Sequence, residues 1–433
     1  MTTEKSILVV GAGFVGLATA TFMANKGCSV VVAEKNPILV ESLNGGKLHF
    51  HEPRLDREFR KLIKTDRLTV DEPHPDDFAS AGTIVIAIDS ADQKTWKMKL
   101  SAFERMAGWI GSTQRKRKGS VILKSTNVLG FAEMFAGLVA RTPAADLVEV
   151  TVAPEFLREG FAYEDTASPW RVVIGTPQGH HGSAVEKLLK SLYPKRTPFV
   201  VTDLRSAELV KLGSNLYLSH RLAFINELAE YARVESLDME AVREGIGRDP
   251  RIGLEYFTPG LGFGGSCLPK DCHLINSSEL EPSFDFQTAY TALLINDQIL
   301  EGIIERLKKK LGSLKGKRIA ILGVAFKPET DDTRGSQAVK LAQMLRKRGA
   351  KPTLYDPYLK KAKRLPDAGL DLCKDISEAL KGSRAVVVGC AHAGFKKIKP
   401  TDLVRMTGRK PVIIDYFGIF NRKNFEKQGM EFL

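Results

Sequence analysis

Apolar residues fall along this chain in two rhythms. Short runs alternate with stretches in which apolar positions recur every three or four residues. Strand-like runs lie at residues 7–10, 30–33, 84–88, 121–124, which ends in Lys124, and 148–152, where Glu149 and Thr151 alternate with valines. Runs of that length, closed by glycine or by a helical pattern, read as strands buried on both faces. The gaps between them carry helical periodicity, so the first 200 residues predict an open, mostly parallel sheet. From Leu204 to about Arg233 there is no proline and one glycine, and Leu209, Leu212, Leu216, Leu222 and Ile225 recur at helical spacing. A second helical pattern spans residues 287–311. Long helices in mid-chain predict a spine between two domains and a surface on which two copies pair. The strand and helix rhythm restarts near Lys315, with strands expected at 318–323, 351–355, 385–389 and 412–415. It repeats the architecture without repeating the sequence.

Composition narrows the class. A chain of 433 residues that is 43% hydrophobic and 27% charged fills real cores, which excludes global disorder and leaves room for two or three domains. The formal net charge of +13 fits a nucleic acid or acidic small molecules. The basic clusters at 114–118, 308–310, 346–348 and 360–364 read as solvated surface. With no aromatic-interleaved basic stripe, no nucleic-acid partner is expected. The five cysteines, Cys28, Cys267, Cys272, Cys373 and Cys390, are odd in number and lack short repeated spacings. That argues against a disulfide framework and against a zinc site, so no metal is expected and a reducing cytoplasm fits. Residues 7–24 are mostly apolar, but Glu4 and Lys5 cancel and three glycines interrupt the stretch. No run approaches the roughly 20 residues of a membrane span, so neither a membrane partner nor a targeting signal is expected.

The first chemistry lies at Gly11-Ala12-Gly13-Phe14-Val15-Gly16, after one expected strand and at the head of an expected helix. The glycines give a tight turn, close backbone approach to a pyrophosphate and close packing of helix on strand. Phosphate charge then meets the helix N-terminus. Glu34, at the end of the next strand, suits both ribose hydroxyls and repels a 2′-phosphate, so NAD is favoured over NADP; Lys35 weakens that preference. The expected fold class is α/β, with two doubly wound Rossmann-like domains joined by a long central helix. Its expected parts are an NAD-binding domain (1–200), a central helical and dimerisation domain carrying a cysteine loop (201–312) and a second Rossmann-like domain (313–433).

The second chemistry is the segment Gly260-Leu261-Gly262-Phe263-Gly264-Gly265-Ser266-Cys267-Leu268-Pro269-Lys270-Asp271. Four glycines in six residues make a loop able to close over a ligand. Pro269 suits the first turn of a helix. Cys267 is then expected at a helix N-terminus with Lys270 beside it, and both lower a thiol pKa. The plainer alternative is a glycine-rich turn with a buried cysteine.

Residues 262–271 resemble, without a gap, the signature of the UDP-glucose/GDP-mannose dehydrogenases. Other blocks similar to that family stand in the same order: Gly11 to Leu17, Lys124-Ser125-Thr126, Pro154-Glu155-Phe156-Leu157-Arg158-Glu159-Gly160, Ala207-Glu208-Leu209-Val210-Lys211 with Asn215, Arg251-Ile252-Gly253, and Ala325-Phe326-Lys327-Pro328 through Asp332, Arg334 and Ser336. The resemblance runs from about residue 7 to about 420. It implies a four-electron oxidation, in which the C6 alcohol of a nucleotide sugar becomes a carboxylate while two NAD are reduced in turn. UDP-glucose leads among the substrates; GDP-mannose and UDP-N-acetylhexosamines follow.

The resemblance also implies roles. Cys267 is the expected nucleophile, forming a thiohemiacetal and then a thioester. Asp271 holds or activates water near Thr126. Lys211 and Asn215, four apart on one helix, stabilise the oxyanion. Glu155 is the base for thioester hydrolysis. The first alcohol proton goes either to water held by Asp271 and Thr126 or to Lys211 in its deprotonated form. Cofactor contacts are expected from Gly11, Gly13, Phe14, Val15, Gly16, Glu34, Lys35, Thr126 and Glu159, with Ser266 and Arg334 reaching in. Substrate contacts are expected from Glu155, Phe156, Leu157, Lys211, Asn215, Phe257, Gly264 and Lys327, with Arg251 reaching a partner subunit's site in a homodimer or higher homo-oligomer. The bland alternatives are a solvated helix face for Glu155 and Glu159, and surface charge for Lys327 and Arg334.

The match breaks at Asp89-Ser90 (Thr-Pro in most members), at Asn127 to Phe131 (Val-Pro-x-Gly-Thr), at Ala153 (Asn), at Arg54 (Gly) and at Phe417, where many UDP-glucose enzymes carry Arg. Two rivals remain at this level. A single-step hydroxyacid-type dehydrogenase predicts one NADH per substrate and an inert Cys267. A non-catalytic regulator that binds nucleic acid predicts no turnover of nucleotide sugars.

Overall fold

The structure is a computed structural model and describes residues 6–92, 95, 97–112, 115, 117–177, 179–276, 284–359, 364–365 and 368–433. By internal packing the chain divides into two units, Met1–Ser214 with His273–Asp285, and Asn215–Cys272 with Phe286–Leu433.

The first unit is built on eight strands: β1 (Ser6–Val10), β2 (Ser29–Ala33), β3 (Leu68–Asp71), β4 (Thr83–Ile86), β5 (Gly119–Leu123), β6 (Val148–Val152), β7 (Val172–Thr176) and β8 (Phe199–Asp203). They lie in the order β3-β2-β1-β4-β5-β6-β7-β8. Every neighbour is parallel except β6 and β7. Helices cover both faces, which is why β4 and β7 are buried throughout. The chain moves outward from β1 to β3 and then returns to β4, so a switch point lies between β1 and β4. Ligands of such sheets bind beyond the carboxyl ends of the strands. The expected site residues of this unit follow that rule: 11–16 succeed β1, Glu34 and Lys35 succeed β2, 124–126 succeed β5, and 154–160 succeed β6.

The second unit carries β9 (Arg318–Leu322), β10 (Lys351–Tyr355), the antiparallel ribbon β11 (Arg364–Leu365) and β12 (Leu370–Asp371), then β13 (Ala385–Val388), β14 (Val412–Ile414) and β15 (Glu431–Phe432). Its main sheet is all parallel, in the order β10-β9-β13-β14-β15. The core behind it includes Leu322, Val386, Phe395, Leu403, Ile413 and Phe425.

The helix Leu204–Val234 is continuous, and the chain passes from one unit to the other within it. The helix Gln287–Leu311 has the bounds that the periodicity predicts, and buries Ala292, Ile295, Ile299, Ile303 and Leu307 on one stripe. Two basic clusters have a local purpose. Lys308, Lys309 and Lys310 close that helix, and Arg346 and Lys347 close the helix Gln337–Lys347, where positive charge meets the negative end of the helix dipole. The clusters at 114–118 and 360–364 lie partly outside the described residues. Among those described, no helix is long and apolar enough to cross a membrane.

Candidate active site

In the first unit the glycine turn is shaped by close approach. A Cβ on Gly16 would stand 1.9 Å from the Gly11 carbonyl oxygen, and one on Gly11, at φ +102°, would stand 2.6 Å from that of Ala87. Gly13 is different. A Cβ there meets nothing within 4 Å, and its φ of −77° is open to any residue. No packing demands a glycine at that position, so the space above it is free for a ligand. The twelve-residue helix that follows, Phe14–Asn25, has no side-chain cap and no acidic residue in its first turn, so its N-terminal amides suit an anion. The Glu34 carboxylate accepts from Ala12 N–H at 3.2 Å and from Asn36 N–H at 3.0 Å, which places it beside the turn. Phe14 stacks on Phe50 with ring centroids 3.9 Å apart. Cradle, bare helix end and acidic neighbour fit a dinucleotide.

The loops after β5 and β6 meet the central helix inside this unit. The Lys211 ammonium pairs with Glu155 at 3.0 Å, and both side chains are almost buried. The other Glu155 oxygen accepts from Leu157 N–H at 2.7 Å. Phe156 lies under the Arg171 guanidinium at 3.7 Å and beside Lys211 at 5.4 Å. Lys124 donates to the Ala153 carbonyl at 3.3 Å. Burial pushes its amine down to about 8, against the pull of Glu155 and with the repulsion of Lys211. Ser90 donates to the Thr126 carbonyl, so this departure from the family pattern still fastens the Thr126 loop. Asp89 pairs with Lys99, Arg54 with Glu164, and Phe131 is a core residue.

Two further carboxylates hold these loops. Glu208, 6% exposed, accepts from Gly130 and Ala132 N–H at 2.7 and 2.8 Å, which caps the helix after Thr126 from the helix that bears Lys211. Burial pushes it up to about 7. Glu52, 2% exposed, accepts from Gly160 and Ala162 N–H and so anchors the 154–160 loop. Sequence reasoning missed both as site-supporting residues. Glu208 stands inside a family block, but no spacing marks its partner.

In the second unit Cys267 is exposed and sits just before the helix Leu268–Leu274. One turn on, Asp271 is fully buried, and its N–H donates to the Cys267 carbonyl at 2.9 Å. Its two carboxylate oxygens are taken by Lys270, at 2.5 Å, and by the Asn215 amide, at 2.5 Å. Lys270 therefore pairs with Asp271. Cys272, beside Ser219, is buried and pushed up to about 11; Cys390 is pushed up further by burial. Among the five cysteines Cys267 alone is exposed, and none of the five is in a disulfide.

The glycine loop ahead of Cys267 packs within its own unit. A Cβ on Gly264 would stand 2.4 Å from the Gly335 carbonyl, and one on Gly260 would stand 2.5 Å from the Phe417 ring. Asn296 grips Phe263 through both amide groups, and Gln337 adds a third bond. Gly265 N–H donates to the Arg334 carbonyl at 3.1 Å, while the Arg334 guanidinium is chelated by Asp332. Phe257, 2% exposed, stacks on Phe224. Ser266 stands 3.6 Å from the thiol of Cys267. Arg251 is exposed and held by Asp249. Lys327 is half-buried on the loop after β9. Each unit thus gathers its own cluster, Glu155 with Lys211 in one and Asn215 with Lys270 and Asp271 in the other.

Residues 5–195 match the NAD binding domain of the UDP-glucose/GDP-mannose dehydrogenase family, 205–298 its central domain, and 320–422 its UDP binding domain. The chain is 31% identical to the UDP-glucose 6-dehydrogenase YwqF of Bacillus subtilis, over 99% of its own length and 96% of that protein's. Among solved structures it is similar to a UDP-glucose dehydrogenase from Pyrobaculum islandicum, with TM-score 0.88, 31% identity and coverage of 98% and 96%. It is also similar to a UDP-D-ManNAc dehydrogenase from Pyrococcus horikoshii, with TM-score 0.86, 26% identity and coverage of 99% and 98%. The amino-terminal part accordingly binds NAD, the substrate is a nucleotide sugar, and the chain belongs to the UDP-glucose/GDP-mannose dehydrogenase family as an NAD-dependent oxidoreductase.

Proposed function

We propose that the protein oxidises a nucleotide sugar at C6 to the uronic acid through a covalent intermediate on Cys267, with UDP-glucose as the leading substrate. The observation that carries this reading is an exposed thiol one turn before a buried carboxylate gripped by Asn215 and Lys270. NAD, when bound, takes up a hydride in each of two oxidations. The protein's own residues do the rest. The Cys267 thiolate adds to the C6 aldehyde and keeps it bound as a thiohemiacetal, which a dehydrogenase stopping at a ketone has no need to do. Lys211, paired with Glu155, and the Asn215 amide serve the oxyanion. Glu155 accepts the proton of the water that cleaves the thioester. Asp271 and Thr126 order water.

We assign the cofactor to Gly11, Gly13, Phe14, Val15, Gly16, Glu34 and Lys35, with Thr126, Glu159, Ser266 and Arg334 completing the pocket. Phe156, Leu157, Phe257, Gly264 and Lys327 serve the substrate. A second substrate reading, a UDP-N-acetylhexosamine, is favoured by one observation. Phe417 presents an apolar ring against the Gly260 turn, where many UDP-glucose enzymes carry a guanidinium. The relative from P. horikoshii is named for such a sugar. The division into 1–200, 201–312 and 313–433 stands as the proposed division of labour, in the cytoplasm, for the supply of a polysaccharide precursor. Tyr217, Phe224 and Tyr231 stand seven apart on the central helix and are 60%, 46% and 61% exposed, which supports pairing of two copies there, with Arg251 serving the partner's site.

The test is the NADH yield on a panel of nucleotide sugars. Two NADH per sugar are expected for the wild type and almost no acid for Cys267→Ser. A yield of one, or an unimpaired Cys267→Ser enzyme, overturns the covalent mechanism.

A further inference from the structure

We propose that His392 is a positioning residue for nucleotide-sugar binding: its buried imidazole ties Asp356 to the turn at Glu329 and so fixes the loop that carries Lys327. The inference rests on the assignment of the second α/β unit, and of Lys327 in it, to the nucleotide sugar.

In this unit β9 is flanked by β10 on one side and β13 on the other, so the switch point lies between β9 and β13. Ligands of doubly wound sheets sit beyond such a point. His392, with no exposed surface, follows β13 there. Its Nε2 stands 3.1 Å from the Asp356 carboxylate, and its Nδ1 accepts from Glu329 N–H at 3.1 Å. That backbone donor makes Nδ1 the acceptor nitrogen, so Nε2 carries the proton toward Asp356.

Glu329 is the residue under constraint. It is not glycine, yet its φ is +61°. Such strain persists where the surroundings over-determine it, and it gathers at ligand clamps. Glu329 is held at three points: its N–H on His392, one carboxylate oxygen accepting from Ala393 N–H at 2.9 Å, and the other accepting from the Tyr358 hydroxyl. Lys327 precedes it by two residues. Further along, Phe326 N–H donates to the Asp332 carbonyl at 2.9 Å, which closes the loop on itself.

The first unit gives the contrast. Glu34 ends β2 as Asp356 ends β10. Glu34 accepts one N–H of its glycine turn and one from Asn36. Asp356 accepts two N–H groups of the corresponding turn, Val324 at 2.7 Å and Ala325 at 3.0 Å, and one from Tyr358 at 2.9 Å, and His392 closes over the same carboxylate. Burial alone would raise this carboxyl; the His392 bond and the backbone donors hold it below its ordinary range. The acidic group that suits a ribose in the first unit is spent internally in the second. The second unit is left to bind through the 323–336 loop, whose shape His392 sets.

The test uses full-length His392→Leu, His392→Asn and Tyr358→Phe. It measures initial rates with a nucleotide sugar that the wild type oxidises, KM for NAD, and calorimetric binding of UDP. His392→Leu should raise the sugar KM and the UDP Kd about tenfold, with kcat within about threefold and KM for NAD unchanged. His392→Asn can still accept from Glu329 N–H and should recover most of that loss. Tyr358→Phe removes a bond at the surface, should fold normally, and should weaken UDP about threefold or more. If His392→Leu fails to fold, the other two variants decide. Unchanged UDP affinity in Tyr358→Phe or His392→Leu, or a His392→Asn protein that loses kcat and both KM values together, overturns the proposal. A wild type that neither oxidises a nucleotide sugar nor binds UDP overturns the functional assignment with it.

Discussion

Glu208 shows how much a single buried carboxylate can govern. It caps the helix after Thr126 from 78 residues away in sequence, and burial raises it from an ordinary 4.5 to about 7. A folded-state value above the unfolded one means that its stabilising contribution is complete below about pH 4.5 and is lost as pH rises through about 7. Wild-type stability relative to Glu208→Gln should therefore fall across that window, by up to about 3 kcal/mol. Denaturant midpoints of the two proteins at a series of pH values check this, and parallel curves would sink it. At the same scale, Cys267→Ser should bind NAD and UDP as the wild type does while releasing almost no uronic acid, because the serine hydroxyl is far less nucleophilic than a thiolate at neutral pH. Binding lost along with turnover would point to a structural role instead. The thiol was legible in sequence because four glycines and a proline frame it within a dozen residues. Glu208, Glu52 and His392 were not, because their partners lie 78, 108 and 63 residues away, and only folding brings them together.

Among elements, the strand–turn–helix at residues 6–25 separates two kinds of glycine that look alike in sequence. Gly16 leaves no room for a methyl group, whereas Gly13 leaves all the room needed. Gly16→Ala should lower the melting temperature by several degrees, in the manner of a core overpacking of about 1–3 kcal/mol. Gly13→Ala should melt close to wild type yet raise KM for NAD about tenfold, since the cost falls on the ligand's approach and not on the fold. A Gly13→Ala protein with normal NAD affinity would remove this glycine from the pocket. The strands at 148–152 and 351–355 and the helix at 287–311 have the bounds that the hydrophobic pattern predicts, the helix because its buried stripe is long and one-sided. β8, with its half-exposed sequence, and the two-residue β15 carry too weak a pattern to be singled out.

For the whole molecule, the exposed row Tyr217, Phe224 and Tyr231 bears on assembly. If two copies pair there, Tyr217→Asp with Tyr231→Asp should yield a monomer in sedimentation experiments and should lose activity wherever Arg251 serves the partner's site. A wild type that is monomeric at all concentrations would defeat this. The net charge of +13 has partial explanations at this scale: basic residues close two helices, and others neutralise neighbouring carboxylates, as Arg334 does for Asp332. The sequence alone determined the fold class and marked the glycine turn and the cysteine loop, because each is written in residues close together in the chain: period, glycine spacing and a cysteine before a proline. Tertiary structure alone decided which charges those residues meet. Lys270 was bound by Asp271, Lys211 by Glu155, and Asp356 was closed off by His392, because a buried charge settles on whichever partner the fold brings within hydrogen-bonding distance, however far away it lies in the sequence.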